Sequence, residues 1–210
     1  MSSSASSGGR ALHWDAAYGG RGASGVSWFQ EDPRFSVQLI EALRVPRSGA
    51  VIDVGGGASP LAGALVSRGF SDVTVLDVSQ SALDLARQRC GPDSPITWVH
   101  ADLLHWRPDR QFDLWHDRAV FHFLVEHDHQ EGYLALLRSS LKPEGVVILA
   151  TFAADGPESC SGLPVSRYAP EQLGTLLGPD FSVERQCREE HTTPAGAIQP
   201  FTWLAARRRG

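Results

Sequence analysis

Three aspartates recur along the first half of the chain in similar settings. Asp53 lies inside Val51-Ile52-Asp53-Val54-Gly55-Gly56-Gly57, Asp77 ends the apolar run 73–76, and Asp102 follows the run 96–99. Glycines after an apolar strand let the chain turn tightly and bring backbone N–H groups up to a bulky ligand with no Cβ in the way. Carboxylates at successive strand ends of a parallel sheet converge on one edge, where they can accept from a ligand's hydroxyl and amino groups. An acid just before the glycine turn would repel a phosphate. Pro60 also stands where the dinucleotide pattern Gly55-x-Gly57-x-x-Gly would have its third glycine. The pattern favours a cofactor that carries a cation and no phosphate.

A second group of chemistry-bearing residues follows in Phe112-Asp113-Leu114-Trp115-His116-Asp117-Arg118-Ala119-Val120-Phe121-His122. A strand ending here points His116, Asp117 and Arg118 at the same sheet edge. His116 or His122 can act as a base near neutral pH, with Asp117 orienting an imidazole or an acceptor amine. The bland alternative is an Asp117–Arg118 ion pair and a satisfied core histidine at 122. Loops 160–168 and 190–194 add Tyr168 and His191 as holders of a polar acceptor, and Arg167 either pairs with a carboxylate or leads into the next helix. His127 and His129 flank Asp128, but their setting reads as an exposed turn and helix cap, so no metal site is expected. Cys90, Cys160 and Cys187 are far apart and form no CxxC pair, which argues against a disulfide framework or zinc and fits a reducing cytoplasm.

The elements that must position these residues alternate. Apolar runs at 51–54, 73–76, 96–99, 112–115 and 146–151 read as strands, with helical spacing at 61–68, 79–90 and 130–141 between them. Ser79 caps the second of these helices. Alternation of this kind predicts a parallel sheet with helices on both faces. After 151 the character changes to a loop at 155–164, a short helix at 170–177, and two strands at 181–187 and 201–207 that form an antiparallel hairpin. Upstream, 33–43 is a covering helix. Segment 14–30, with Trp14, Tyr18, Trp28 and Phe29 among glycines, suits a lid over a ligand. Residues 1–12 read as a disordered leader, and 13–210 as one domain in which 13–47 form the lid and covering helix.

Charge and hydropathy argue against several classes of partner. Lys and Arg total 19 against 24 for Asp and Glu, a formal net charge of −5, so no basic field favours nucleic acid. The cluster Arg207-Arg208-Arg209 reads as a solubilising tail. No apolar run approaches the ~20 residues that cross a bilayer, so no membrane partner is expected.

On Val51–Gly57, the three strand-end acids and the strand pattern, the chain from 13 to 209 resembles the class I S-adenosylmethionine-dependent methyltransferases. The resemblance implies an α/β, Rossmann-like, seven-stranded and mostly parallel sheet with a C-terminal antiparallel hairpin. It implies that Gly55 and Gly57 line the amino-acid end of the cofactor, with Asp53 orienting its ammonium group and His116 close by. Asp77, with Val78 beside it, would accept the ribose hydroxyls. Asp102 would accept from the adenine amino group while Leu103 packs on the ring. The Val26-Ser27-Trp28-Phe29-Gln30 segment is similar to the N-terminal signature of small bacterial methyltransferases and of some protein-lysine methyltransferases. Its aromatics, Trp28 above all, could close on the sulfonium. Tyr18, Arg118, His122, Tyr168 and His191 would then wall the acceptor, and methyl transfer would proceed from S-adenosylmethionine without metal. A small-molecule acceptor leads and a protein lysine is the alternative. A nicotinamide-dependent oxidoreductase and a non-catalytic cofactor-binding protein remain as readings from other classes.

Overall fold

The computed structural model describes residues 7–21, 26–27 and 29–210. The chain runs through α1 (Ser7–Arg21), α2 (Arg34–Ala42), β1 (Ala50–Val54), α3 (Leu61–Ser67), β2 (Asp72–Asp77), α4 (Gln80–Cys90), β3 (Ile96–His100) and β4 (Phe112–Arg118). There follow α5 (His127–Ser140), β5 (Leu141–Phe152), a small pair β6 (Ser159–Cys160) and β7 (Leu163–Pro164), α6 (Pro170–Leu177), β8 (Phe181–Thr192) and β9 (Ile198–Arg208). The seven-stranded sheet has the order β3-β2-β1-β4-β5-β9-β8. Its first five strands are parallel, and β9 runs antiparallel to both β5 and β8.

Both faces of the central strands are buried, which is why these strands read as continuous apolar runs rather than as alternating patterns. Successive residues still point to opposite sides. Val51, Leu114 and Ile148 join Ile40 of α2, Leu65 of α3 and Leu83 of α4 in one core. Ile52, Trp115 and Val147 join Leu134 and Leu137 of α5 and Leu173 of α6 in the other. Each such fully buried leucine or isoleucine contributes roughly 1.5–3 kcal/mol relative to exposure. The cap expected at Ser79 is present, since its hydroxyl accepts from the Ala82 N–H at 3.1 Å. At the other end of that helix Gly91 takes a positive φ of 83°. Strand order reverses between β1 and β4, and the carboxyl ends of those two strands open the crevice that a sheet of this kind uses for ligands.

Several expectations change. Residues 7–12 are helical rather than disordered, and the glycine-rich stretch that follows continues the helix to Arg21. Arg10, Trp14 and Tyr18 recur four apart and so share one helix face, which docks on the strand ends. That tertiary contact outweighs the poor helix propensity of Gly19 and Gly20. The loop expected at 155–164 contains the β6–β7 hairpin, whose turn residues Ser161 and Gly162 both have positive φ (52° and 77°), the requirement of a type I′ turn. His127, Asp128 and His129 open α5 three residues earlier than expected. Among the described residues no group of three potential metal ligands comes together. The C-terminal arginines are not a solvated tail, because Arg207 and Arg208 lie within β9. Arg207 pairs with Glu184 at 2.6 Å and donates to the Glu144 carbonyl at 2.8 Å, while Arg208 donates to the Leu141 carbonyl.

Candidate functional site

The turn after β1 is built so that only glycine fits. Gly55 has φ of 64°, and a Cβ there would land on Val120 Cγ2. A Cβ at Gly56 would lie 2.5 Å from Asp53 Oδ2, and one at Gly57 2.6 Å from Asp77 Oδ2. The glycines thus hold open a cradle between two of the three acids. The Gly55 N–H donates to the Leu76 carbonyl at 2.7 Å, tying the cradle to β2.

Two cavities open at this edge. The larger, about 850 Å³ including its mouth, is walled by Asp77, Val78, Asp102 and Leu103 from the sheet side and by Trp14 from α1. The smaller, about 530 Å³, is walled by Ser36, Asp53, Gly56 and His116. Tyr18, Gly55 and Arg118 line both cavities, so the two meet at these residues.

The acids differ in environment. Burial pushes Asp77 up to about 7, with the carboxylates of Asp53 and Asp15 adding to the rise although the Ser79 N–H offsets part of it. For Asp102, burial acts upward, but the hydrogen bond from Arg10 (2.7 Å) and the Leu104 N–H hold its carboxyl below the usual range. Asp53 is 3% exposed. Its Oδ1 accepts from His116 Nδ1 at 2.7 Å, and His116 Nε2 in turn meets the Ser36 hydroxyl at 3.1 Å. Asp53 Oδ2 is buried with no hydrogen-bond partner among the described residues. A buried carboxylate oxygen without a donor is costly, and here it belongs to a cavity-lining residue that a ligand ammonium group could reach. The glycine cradle and this acceptor together fit a cofactor with an amino-acid end.

The remaining expected site residues divide. Arg118 and Tyr18 line both cavities at their junction. Asp117 is not in the site. It alternates to the opposite face from His116, is fully buried, and accepts from the Tyr133 hydroxyl (2.6 Å) and from the Val120 and Phe121 N–H groups. Its role is to hold the turn at 121–123, and the imidazole it was expected to orient is held by Asp53 instead. His122 is fully buried, and burial followed by the Arg118 charge lowers its pKa to about 3, so the ring is neutral at physiological pH. It accepts weakly from the Phe152 N–H (3.4 Å) and does not line either cavity. Tyr168 packs on Phe121 in the α5-side core, with its hydroxyl on Gln130. His191 donates to the Ser27 carbonyl at 2.9 Å and so ties the N-terminal segment to the hairpin. Arg167 bonds the Gly156 carbonyl and Glu158. Trp28 lies outside the described residues.

Other contributors carried no motif. Arg10 reaches Asp102 from a segment with no pattern of its own. Asp15 accepts from Ser79 and from the Ser81 N–H, docking α1 on α4, and Trp14 packs edge-on to Phe123 at 5.0 Å. Ser36 and Glu189 were equally silent. Only the four-residue recurrence of Arg10, Trp14 and Tyr18 could have indicated the first of these contacts.

Comparison with known proteins agrees with this geometry. Residues 51–145 match the family model described as a methyltransferase domain. The chain is 26% identical over 190 residues to EEF1A lysine methyltransferase 2 of Danio rerio, covering 83% of this chain and 76% of that protein. It is 31% identical over 116 residues to thiocyanate methyltransferase 1 of Brassica oleracea, covering 53% of this chain and half of that one. The fold superposes on the 1,6-didemethyltoxoflavin-N1-methyltransferase of Burkholderia thailandensis with a TM-score of 0.75 at 20% identity, over 100% of this chain and 93% of that one. These matches argue against the oxidoreductase reading. With strand order, glycine cradle and paired cavities in place, residues 51–145 match a methyltransferase domain, and the fold is that of S-adenosylmethionine-dependent methyltransferases.

Proposed function

We propose that the acceptor is a small molecule and that the two cavities divide the work between cofactor and acceptor. The observation that carries this reading is the cover that α1 lays over the strand ends. Trp14 and Tyr18 of α1 close over the strand ends, and the segment around Ser27 and Gln30 is bonded to the hairpin through His191 and Glu189. A protein side chain would need an open groove, whereas a small acceptor is retained by such walls. The setting proposed is cytoplasmic, supported by three unpaired thiols. No described helix is long and apolar enough to cross a membrane.

In this reading Asp53 Oδ2 receives the cofactor ammonium, Asp77 the ribose hydroxyls and Asp102 the adenine amino group, with Leu103 against the ring. His116 and Ser36 hold Asp53 in position. Bound S-adenosylmethionine supplies an activated methyl group on a sulfonium. The protein's part is alignment and exclusion of water. The likeness to a lysine methyltransferase over 190 residues favours a second reading, a protein lysine acceptor.

The test is transfer of radiolabelled methyl into an extract of the source cells, separated into protein and small-molecule fractions, with Asp77→Ala as control. Label in the small-molecule fraction that vanishes with the variant is expected. Label in a protein band overturns this reading in favour of lysine.

A further inference from the structure

Arg118 is a buried cation that the three acids at the strand ends do not account for. It ends β4, its side chain is only 10% exposed, and it lines both cavities where they meet. Its guanidinium stacks 4.4 Å from the centre of the Phe201 ring and stands 4.0 Å from Glu189. Glu189 is shared, since its oxygens accept from Gln30 Nε2 and Trp203 Nε1, each at 2.9 Å. Burial lowers the Arg118 pKa to about 10, against the pull of Glu189, Cys160 and Asp53, so the group remains cationic at neutral pH.

The candidate bases among the described residues on the same side are already engaged or buried. Both ring nitrogens of His116 are engaged, by Asp53 and Ser36. His122 and His191 are both lowered by burial, and neither lines a cavity. Burial pushes the Cys160 thiol up to about 11, so it is neither a thiolate nor a base at neutral pH. Among the described residues, the side chains that line both cavities are those of Tyr18 and Arg118, and in the reading above the acids beside them, Asp53 and Asp77, are taken up by the cofactor. A sulfonium in the same enclosure adds a second positive charge, and like charges repel strongly where water is excluded. An ammonium acceptor would add a third and would still have to lose a proton.

Resting on the methyltransferase reading above, we propose that the acceptor is a small anionic nucleophile, a thiolate, pseudohalide or carboxylate, held by Arg118. Arg118 offers planar, charge-assisted donors suited to such a group. The acceptor's lone pair forms the new bond to the methyl carbon as the sulfur–carbon bond breaks with its electrons remaining on sulfur. Anion and sulfonium neutralise each other, and no proton is released, which is why no base is required.

The experiment has two readouts. Sodium thiocyanate is titrated calorimetrically into protein saturated with S-adenosylhomocysteine at low ionic strength. Labelled methyl transfer is then compared for thiocyanate, benzoate and hexylamine. Binding of thiocyanate and transfer to the anions but not to the amine is expected. Arg118→Met should weaken acceptor binding by about 10- to 100-fold, the loss of one charge-assisted contact, while S-adenosylhomocysteine affinity stays within about twofold. Glu189→Gln, which removes the competing carboxylate and keeps an acceptor for Gln30 while giving up the one for Trp203, should tighten thiocyanate binding, and circular dichroism with thermal melts of both variants guards against misreading a misfolded protein. Absence of Arg118-dependent thiocyanate binding overturns the proposal, as does transfer to hexylamine alone. It is also overturned if Arg118→Met weakens the S-adenosylhomocysteine complex instead, because the arginine then serves the cofactor carboxylate. Failure of the native protein to bind S-adenosylhomocysteine at all would overturn the methyltransferase reading itself.

Discussion

The two sides of the crevice are made in different ways. The side formed by β1, β2 and β3 is acidic and local: Asp53, Gly55, Gly57, Asp77 and Asp102 each sit within or just beyond the strand that presents them. The side facing β4, β5 and the hairpin has the buried cation Arg118, set among Phe201, Glu189 and Cys160 from distant parts of the chain. The first side is specified by backbone conformation, because its glycines leave no room for a side chain. The second is specified by packing between segments about 40 to 80 residues apart, where a single substitution can change which charge is balanced.

The largest expected effect comes from closing the acidic side. Gly55→Ala forces a left-handed backbone on a residue with a Cβ and drives that atom into Val120, so S-adenosylhomocysteine affinity should fall by more than about 100-fold in calorimetry. Retention of near-native affinity would show that the cradle is not the cofactor site. Asp77→Asn should cut the same affinity by about 10- to 100-fold, while making the ligand-free protein more stable at neutral pH. The sign follows from linkage. Asp77 is raised from 3.8 to about 7 in the folded chain, so the folded state holds its proton more tightly. Native stability therefore falls as pH rises from about 4 to about 7, by an amount on the order of 2 kcal/mol or more. The Asn variant lacks this fall. Thermal melts of both proteins should coincide near pH 4 and separate towards pH 7, and parallel curves would refute the assignment.

Two further variants sharpen the contrast between site and scaffold. Asp117→Ala strands the Tyr133 hydroxyl and two N–H groups, and should cost about 2–4 kcal/mol in urea unfolding. Loss of methyl transfer without any loss of stability would restore a chemical role to Asp117. Ser36→Ala removes only the outer member of the chain ending on Asp53 and should cost about 1 kcal/mol. A shift in cofactor affinity of more than about tenfold would show that His116 needs this hydroxyl to hold Asp53.

The acidic side was readable because glycine, strand and acid are contiguous there. The other side was legible only in part. Arg118 was recognisable as a candidate from its place after a strand, but its neighbours were not. Asp117 and His116 are adjacent in sequence, and alternation along β4 sends them to opposite faces. No count of residue types could decide which of the two lined the cavity. Helix α1 was misjudged because local propensity disfavours it and its docking face is defined by partners about 65 to 110 residues away.

The order of strands, the glycine cradle, the acids at three strand ends and hence the class of cofactor were determined by the sequence itself, because each depends on short-range sterics and hydrophobic periodicity. Only the tertiary structure decided that His116 and Ser36 brace Asp53, that Asp117 is scaffold, that Arg10 covers Asp102, and that Arg118 stands at the junction of the two cavities. These are contacts between side chains brought together by folding, and their energies depend on burial and on the charges nearby, which no single stretch of chain encodes.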